Sequence, residues 1–338
     1  MTPTKIPVLI DTDADFDDYL AILYLLKHPR IEVVGITVTG TGDVHLSQGV
    51  RNISNMLCLT GVPSDRNIPV AAGSNAPLRY SNTFPGADRQ AADRHYGAAF
   101  PQQNTVATVA DAQRFLTELL LQRTSPLTVL CIGGGTTWGT LLQHAKAQPH
   151  LQQAINQHVS KIVMMGGNLT AEFVQPGAPG NIQATMEPNP YYSNTVAEWN
   201  IFVDPLGAQE IIQSGLPITL VALNATADVP IDWAFVNQLA EINNDAARFL
   251  VQILHSSTIR PGIDNYLDFW DPLAASVIAE PNLIQTQTFN LRIEQQLNEE
   301  DDRSGMVLVD DQHGSPIQVA LTANKADTLS QYLHIIAL

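Results

Sequence analysis

The apolar run Val8-Leu9-Ile10 ends on five aspartates within eight residues, Asp11, Asp13, Asp15, Asp17 and Asp18. A helix-like run, Tyr19 to Leu26, follows at once. A buried strand that feeds a helix through such a string gathers its carboxylates at the carboxyl end of the strand. Asp11 and Asp13 flank Thr12 there and point the same way. Asp17 and Asp18 open the helix, where the dipole favours negative charge. Like charges this crowded stay ionised only beside something positive, and a hard, oxygen-binding cation meets that need most economically.

The rest of the chain repeats the strand-to-helix rhythm. Residues 7–10, 32–38, 68–71, 127–132, 161–165, 200–203 and 218–223 read as strands. Helical patterns cover 18–27, 46–59, 109–123, 138–145 and 206–214. Such alternation predicts an α/β fold, an open, mostly parallel Rossmann-like sheet with helices on both faces. Sites in these sheets lie beyond the carboxyl ends of the strands. The aspartates, Gly133-Gly-Gly135, Gly166-Gly-Asn168 and Asn224 then share one rim.

After about residue 228 the rhythm changes. Helical stretches over 231–243 and 245–256 lead to 271–279, and strand-like pieces at 286–293, 306–309 and 317–321 and a last helix follow. This part reads as an appended helical/β layer covering the sheet. No Ser/Gly/Pro linker divides the chain, so residues 1–338 are expected to form a single domain. The stretch 168–194, rich in Pro, Gly and Asn, is too long for an ordinary connection and reads as a lid; 75–101 is a second long loop on the same rim.

The net charge of −16 and the lack of Lys/Arg clusters argue against a nucleic-acid partner. No run of 18 apolar residues marks a membrane span. The first residues lack the apolar core of a secretory signal, and Cys58 and Cys131, both in apolar surroundings, read as core thiols; a cytoplasmic protein is expected.

A strand-terminal D-x-D has two chemical readings. In haloacid-dehalogenase-like phosphotransferases the first Asp, here Asp11, is the nucleophile, and a Lys and an acidic pair complete the site. Here Lys161 stands at the start of its strand instead of ending it, and no acidic pair follows Gly166-Gly167. The other reading rests on three segments in order. Asp11-Thr-Asp-Ala-Asp-Phe-Asp-Asp18, Ala197-Glu-Trp-Asn-Ile-Phe-Val-Asp-Pro205 and Trp270-Asp-Pro-Leu-Ala274 match D-x-D-x-G-x-D-D, A-E-F/W-N-I-x-x-D-P and H/W-D-x-x-A. On these the chain resembles the inosine–uridine-preferring nucleoside hydrolases, calcium-dependent nucleoside N-ribohydrolases. Weaker echoes are Gly40-Thr-Gly-Asp-Val-His45, Met165-Gly-Gly167 and Pro179 before Gly180-Asn181. The likeness spans essentially the whole chain.

The resemblance implies hydrolysis of ribonucleosides to free base and ribose, a Ca2+ cofactor, a homo-oligomer (dimer or tetramer) and a place in nucleoside salvage. It implies Asp13, Asp18, Asp271 and the backbone carbonyl of Ile132 as metal ligands, with Asp13 also taking a proton from the metal-bound attacking water. Asp17 would bind ribose hydroxyls, with Asp11 orienting from behind. Glu198 and Asn200 would hold the ribose from its other side, and Asn181 its 5′-hydroxyl. A catalytically silent nucleoside- or sugar-binding protein on the same scaffold is the alternative.

Where many members carry His before the late Asp, this chain has Trp270, as in the purine-preferring branch, where stacking favours protonation of the base. That branch has a second stacking Trp where this chain offers Asp88; Tyr80, Phe84, Tyr96 and His95 are candidate substitutes. Asp15 stands where the family has Gly and carries no implied role. His45 is placed either against the ribose or as an ordinary exposed histidine. Arg303-Ser-Gly305 reads as structural.

Overall fold

A computed structural model describes residues 5–60, 68–100, 108–169, 180–182, 194–297 and 302–338. Most of the 168–194 stretch expected as a lid lies outside them, as do Pro179 and most of the acidic loop 298–302.

The described strands are β1 (Ile6–Thr12), β2 (Ile31–Val38), β3 (Val70–Ala72), β4 (Thr108–Val109), β5 (Leu127–Ile132), β6 (Val159–Met165), β7 (Ile218–Val221), β8 (Ile284–Ile293), β9 (Val307–Val309) and β10 (Ser315–Ala323). They form one sheet in the order β4-β3-β2-β1-β5-β6-β7-β10-β8-β9. The pairs from β4 to β10 are parallel; β8 and β9 add an antiparallel edge. From β1 the chain winds outward one way through β2, β3 and β4, then returns to β5 on the other side. The β1/β5 boundary is therefore the place where strand order reverses, and loops leaving there diverge to open a crevice. Thr12 pairs with Ile132 at that boundary, and Asp11 with Cys131.

Alternation along β1 sends Val8 and Ile10 to one face and Leu9 to the other, and each joins its own core. Helices Phe16–Lys27, Asp245–Leu254, Trp270–Ala279 and Lys325–Ala337 cover the first face; Ala112–Gln122, Thr136–Lys146, Pro149–His158 and Pro205–Ile212 cover the second. The C-terminal part expected as a layer divides in two. Its helices cover a face, while β10 and β8 extend the sheet itself through β7.

Residues 200–203, expected as a strand, form the helix Trp199–Val203. A short apolar run does not distinguish the two by pattern. The deciding group is Glu198, whose carboxylate accepts from the Asn200 and Ile201 amides and starts a helix. The helix Pro149–His158 was not expected; its buried Leu151, Ala154 and Ile155 lie among His and Gln. No described helix is long and apolar enough to cross a membrane.

Candidate active site

A cavity of about 600 Å³ opens at the β1/β5 crevice. Asp13, Asp17, Asp18, Ile132, Asn181, Glu198, Asn200, Trp270 and Asp271, all singled out above, line it. Asp11 does not. It lies behind the cavity floor, where the Thr37 hydroxyl donates to it at 2.6 Å and the Cys131 thiol approaches at 3.9 Å. Burial raises its pKa to about 7 against these donors. So enclosed, Asp11 has no path to a substrate, which removes the phosphotransferase reading with Asp11 as nucleophile. Cys131 is a core thiol, as expected, and also a neighbour of Asp11.

The string is shaped by a turn. Ala14 adopts a left-handed φ of 66°, uncommon without glycine, and its amide donates to the Thr12 hydroxyl at 3.0 Å. The Thr12 hydroxyl donates in turn to Asp18 Oδ1, and the Asp15 amide donates to Asp18 Oδ2 at 3.0 Å. Asp13 is held from the neighbouring loops. The Asp43 amide donates to its Oδ2 at 3.1 Å, and a Cβ on Gly42 would stand 1.7 Å from that oxygen. Only glycine at 42 lets the loop after β2 close on Asp13.

The helix Trp270–Ala279 packs against Phe16–Lys27. Asp17 and Asp18 sit in the first turn of one helix and Asp271 in the first turn of the other. Carboxylate oxygens of these three lie within 4.8 Å of one another, and Asp271 Oδ1 is buried with no partner. The two converging helix N-termini favour negative charge but do not balance so much of it. Burial raises the pKa of Asp17, Asp18 and Asp271, and the neighbouring aspartates raise each further. Burial also raises Asp13, against hydrogen bonds and the charge of Arg89. An orphaned carboxylate oxygen among buried anions is the donor set of an oxygen-binding divalent cation. The geometry brings Asp17 into the same cluster as Asp18 and Asp271, whereas the resemblance gave Asp17 to the ribose and Asp13 to the metal.

The opposite wall comes from the helix Trp199–Val203. Both Glu198 oxygens are engaged: Oε1 accepts from the Asn200 amide at 2.9 Å, and Oε2 from Gly167 at 3.0 Å and Ile201 at 3.2 Å. Burial still raises Glu198 to about 7. The Asn181 side-chain oxygen accepts from the Trp199 amide at 3.0 Å, satisfying a third free donor of that first turn. The Asn200 amide group reaches Met165 O at 3.4 Å. Asp204, the last acid of the same signature, is fully buried and caps the next helix through Gly207 at 2.9 Å. Gly305 of Arg303-Ser-Gly305 packs under Phe202, a structural contact as expected.

Among the aromatic candidates, Phe84 and Tyr96 line the cavity. Phe84 stacks on Trp199 with centroids 4.3 Å apart; Phe16 meets Tyr96 and Trp270 edge-on. Tyr80 instead donates to Gln295 O, and His95 packs among Tyr19, Phe100 and Phe249. His45 is exposed and paired with Asp93 at 2.8 Å, so it is the ordinary histidine of its two readings. Asp15 faces the cavity and accepts from the Tyr96 hydroxyl, which also lies 3.1 Å from Asp43 Oδ2. Sequence reasoning missed Asp43. Its signal was Gly40-Thr-Gly-Asp43 directly after β2, on the same rim as the aspartate string.

The family model described as inosine-uridine preferring nucleoside hydrolase matches residues 8–330. Nucleoside hydrolase 3 of Arabidopsis thaliana is 28% identical, over 80% of this chain and 35% of its own length, so the chain spans about a third of that protein. The pyrimidine-specific ribonucleoside hydrolase RihA of Salmonella paratyphi B is 28% identical, over 74% of this chain and 70% of its own. The inosine-uridine preferring nucleoside hydrolase of Bacillus anthracis shares the fold, with a TM-score of 0.76, 23% identity and coverage of 98% of this chain and 99% of that one. With the family model covering nearly its whole length, the chain belongs to the inosine-uridine preferring nucleoside hydrolase family, a family of ribohydrolase enzymes.

Proposed function

We propose that the protein cleaves the N-glycosidic bond of ribonucleosides, releasing free base and ribose, and that Asp13 accepts the proton of the attacking water. The observation that carries this reading is the meeting of Asp17, Asp18 and Asp271, from opposite ends of the chain, beside Asp13 in one cavity. Asp13, Asp18, Asp271 and the Ile132 carbonyl would hold a calcium ion. That ion supplies chelation of a ribose diol and a lowered pKa for water bound beside it.

The remaining work belongs to the side chains. Asp17 binds ribose hydroxyls from the metal side, and Glu198 and Asn200 hold the ring from the opposite wall, with Asn181 toward the 5′-hydroxyl. The C1′–N bond breaks as its electron pair leaves with the base, and positive charge develops on the ring as in other glycoside hydrolysis. Buried carboxylates on both walls stabilise that charge. Water adds to C1′ and yields its proton to Asp13. Asp11 fixes this end of β1 from behind.

Purine nucleosides are the favoured class in this reading, because Trp270 faces the cavity and no histidine lines it among the described residues. The name of the Salmonella relative supports a pyrimidine preference instead. Asp13→Ala tests the mechanism. Ribose release should fall by about 10³-fold or more while the protein stays folded. A variant with near wild-type turnover would remove Asp13 from its role.

A further inference from the structure

The departing base needs a proton, and the residues considered so far include no donor for it. Asp268 lines the same cavity, and nothing described so far uses it. Its backbone is fixed. Asp268 bridges Pro230 as an antiparallel pair, flanked by hydrogen bonds from Ile231 N to Leu267 O at 2.8 Å and from Phe269 N to Val229 O at 2.9 Å. Phe269 turns into the core against Phe235 and Tyr332. Asp268, at the end of the bridged segment, and Trp270, at the start of the helix Trp270–Ala279, both line the cavity.

Asp268 differs from the other acids of the cavity. It stands outside the group formed by Asp17, Asp18 and Asp271, and no described residue donates a hydrogen bond to its carboxyl. Burial raises its pKa to about 6, with no contribution from a neighbouring charge. A partnerless carboxyl, partly withdrawn from water on the wall that carries Trp270, suits a donor to a heteroaromatic nitrogen or oxygen stacked on that ring.

We propose that Asp268 is the proton donor to the leaving base. This rests on the hydrolase reading above. As the C1′–N bond breaks, its electron pair moves to the base and the Asp268 proton goes to a ring nitrogen or carbonyl oxygen of that base. Neutral base departs and Asp268 is left as carboxylate. Water meanwhile adds to C1′ and gives its proton to Asp13. Loss of that proton to solvent and uptake of one by Asp268 close the cycle.

The test compares two leaving groups in the intact protein with calcium. Inosine and uridine leave as bases that need protonation; 4-nitrophenyl β-D-ribofuranoside leaves as a stable phenolate that needs none. Asp268→Asn should lower kcat on the nucleosides by about 10²- to 10⁴-fold and keep most of the turnover on the nitrophenyl riboside, which also shows the variant to be folded. Equal loss on both substrates, or undiminished nucleoside turnover, overturns the proposal. A wild-type protein that splits the nitrophenyl riboside but no nucleoside would instead overturn the hydrolase reading, and this assignment with it.

Discussion

Asp13 illustrates how little of a site one side chain determines. Its position at the end of β1 follows from the sequence, but its orientation depends on the Asp43 amide at 3.1 Å and on the absence of a Cβ at Gly42. Those residues come from another loop, so no local pattern announces them. Asp15 is similar. The sequence shows only that it departs from a glycine, and its partner emerges when Tyr96, eighty-one residues later, places its hydroxyl on it. Trp270 was legible as a residue of the base side because the motif fixes its place beside Asp271. Its ring is half-buried, meets Phe16 edge-on at 6.1 Å and has an indole N–H without partner. Removing it by Trp270→Ala should cost purine nucleosides about tenfold or more in kcat/KM, and pyrimidine nucleosides clearly less. Equal loss on inosine and uridine would make the ring a packing element and remove the basis for a purine preference.

At the scale of elements, the central strands were readable because their apolar runs are continuous and bounded, as burial on both faces requires. The second signature segment was misread as a strand because five residues, Trp199–Val203, carry no period long enough to decide. Its acids divide the labour. Glu198 opens the short helix and faces the cavity, while Asp204 joins two elements from beneath. Asp204 accepts from Gly207 N at 2.9 Å and from Leu78 N at 3.0 Å, tying the helix Pro205–Ile212 to the loop after β3. Asp204→Ala leaves the buried Gly207 amide and the part-buried Leu78 amide without acceptors and should destabilise the fold by about 1–3 kcal/mol, read as a lower midpoint in thermal or urea unfolding. Turnover at 25 °C should change far less, since Asp204 does not line the cavity. An unchanged midpoint would show that this cap is dispensable.

At the scale of the molecule, the site exists because of topology. The sheet reverses its strand order between β1 and β5, and the crevice there receives the aspartate string. The helix Trp270–Ala279 then lies against Phe16–Lys27, so two acidic helix starts far apart in sequence come together. The sequence motifs foretold that both belong to one site; the gathering of Asp17 with Asp18 and Asp271, beside Asp13, came only from packing. The path of the C-terminal strands into the sheet was hidden for the same reason, because the pairing of β10 with β7 leaves no local signature.

So many buried carboxylates, with Arg89 acting on Asp13 but no cation among the described residues within the group of Asp17, Asp18 and Asp271, are the reason for proposing a bound divalent ion. Ribose release from inosine and uridine, followed in calcium, after chelation and after calcium is restored, tests this most directly. The expected result is base and ribose in calcium, a loss of about 10²-fold or more under chelation, and recovery on restoring the ion. Equal release in chelator, or none from any ribonucleoside in calcium, would contradict it.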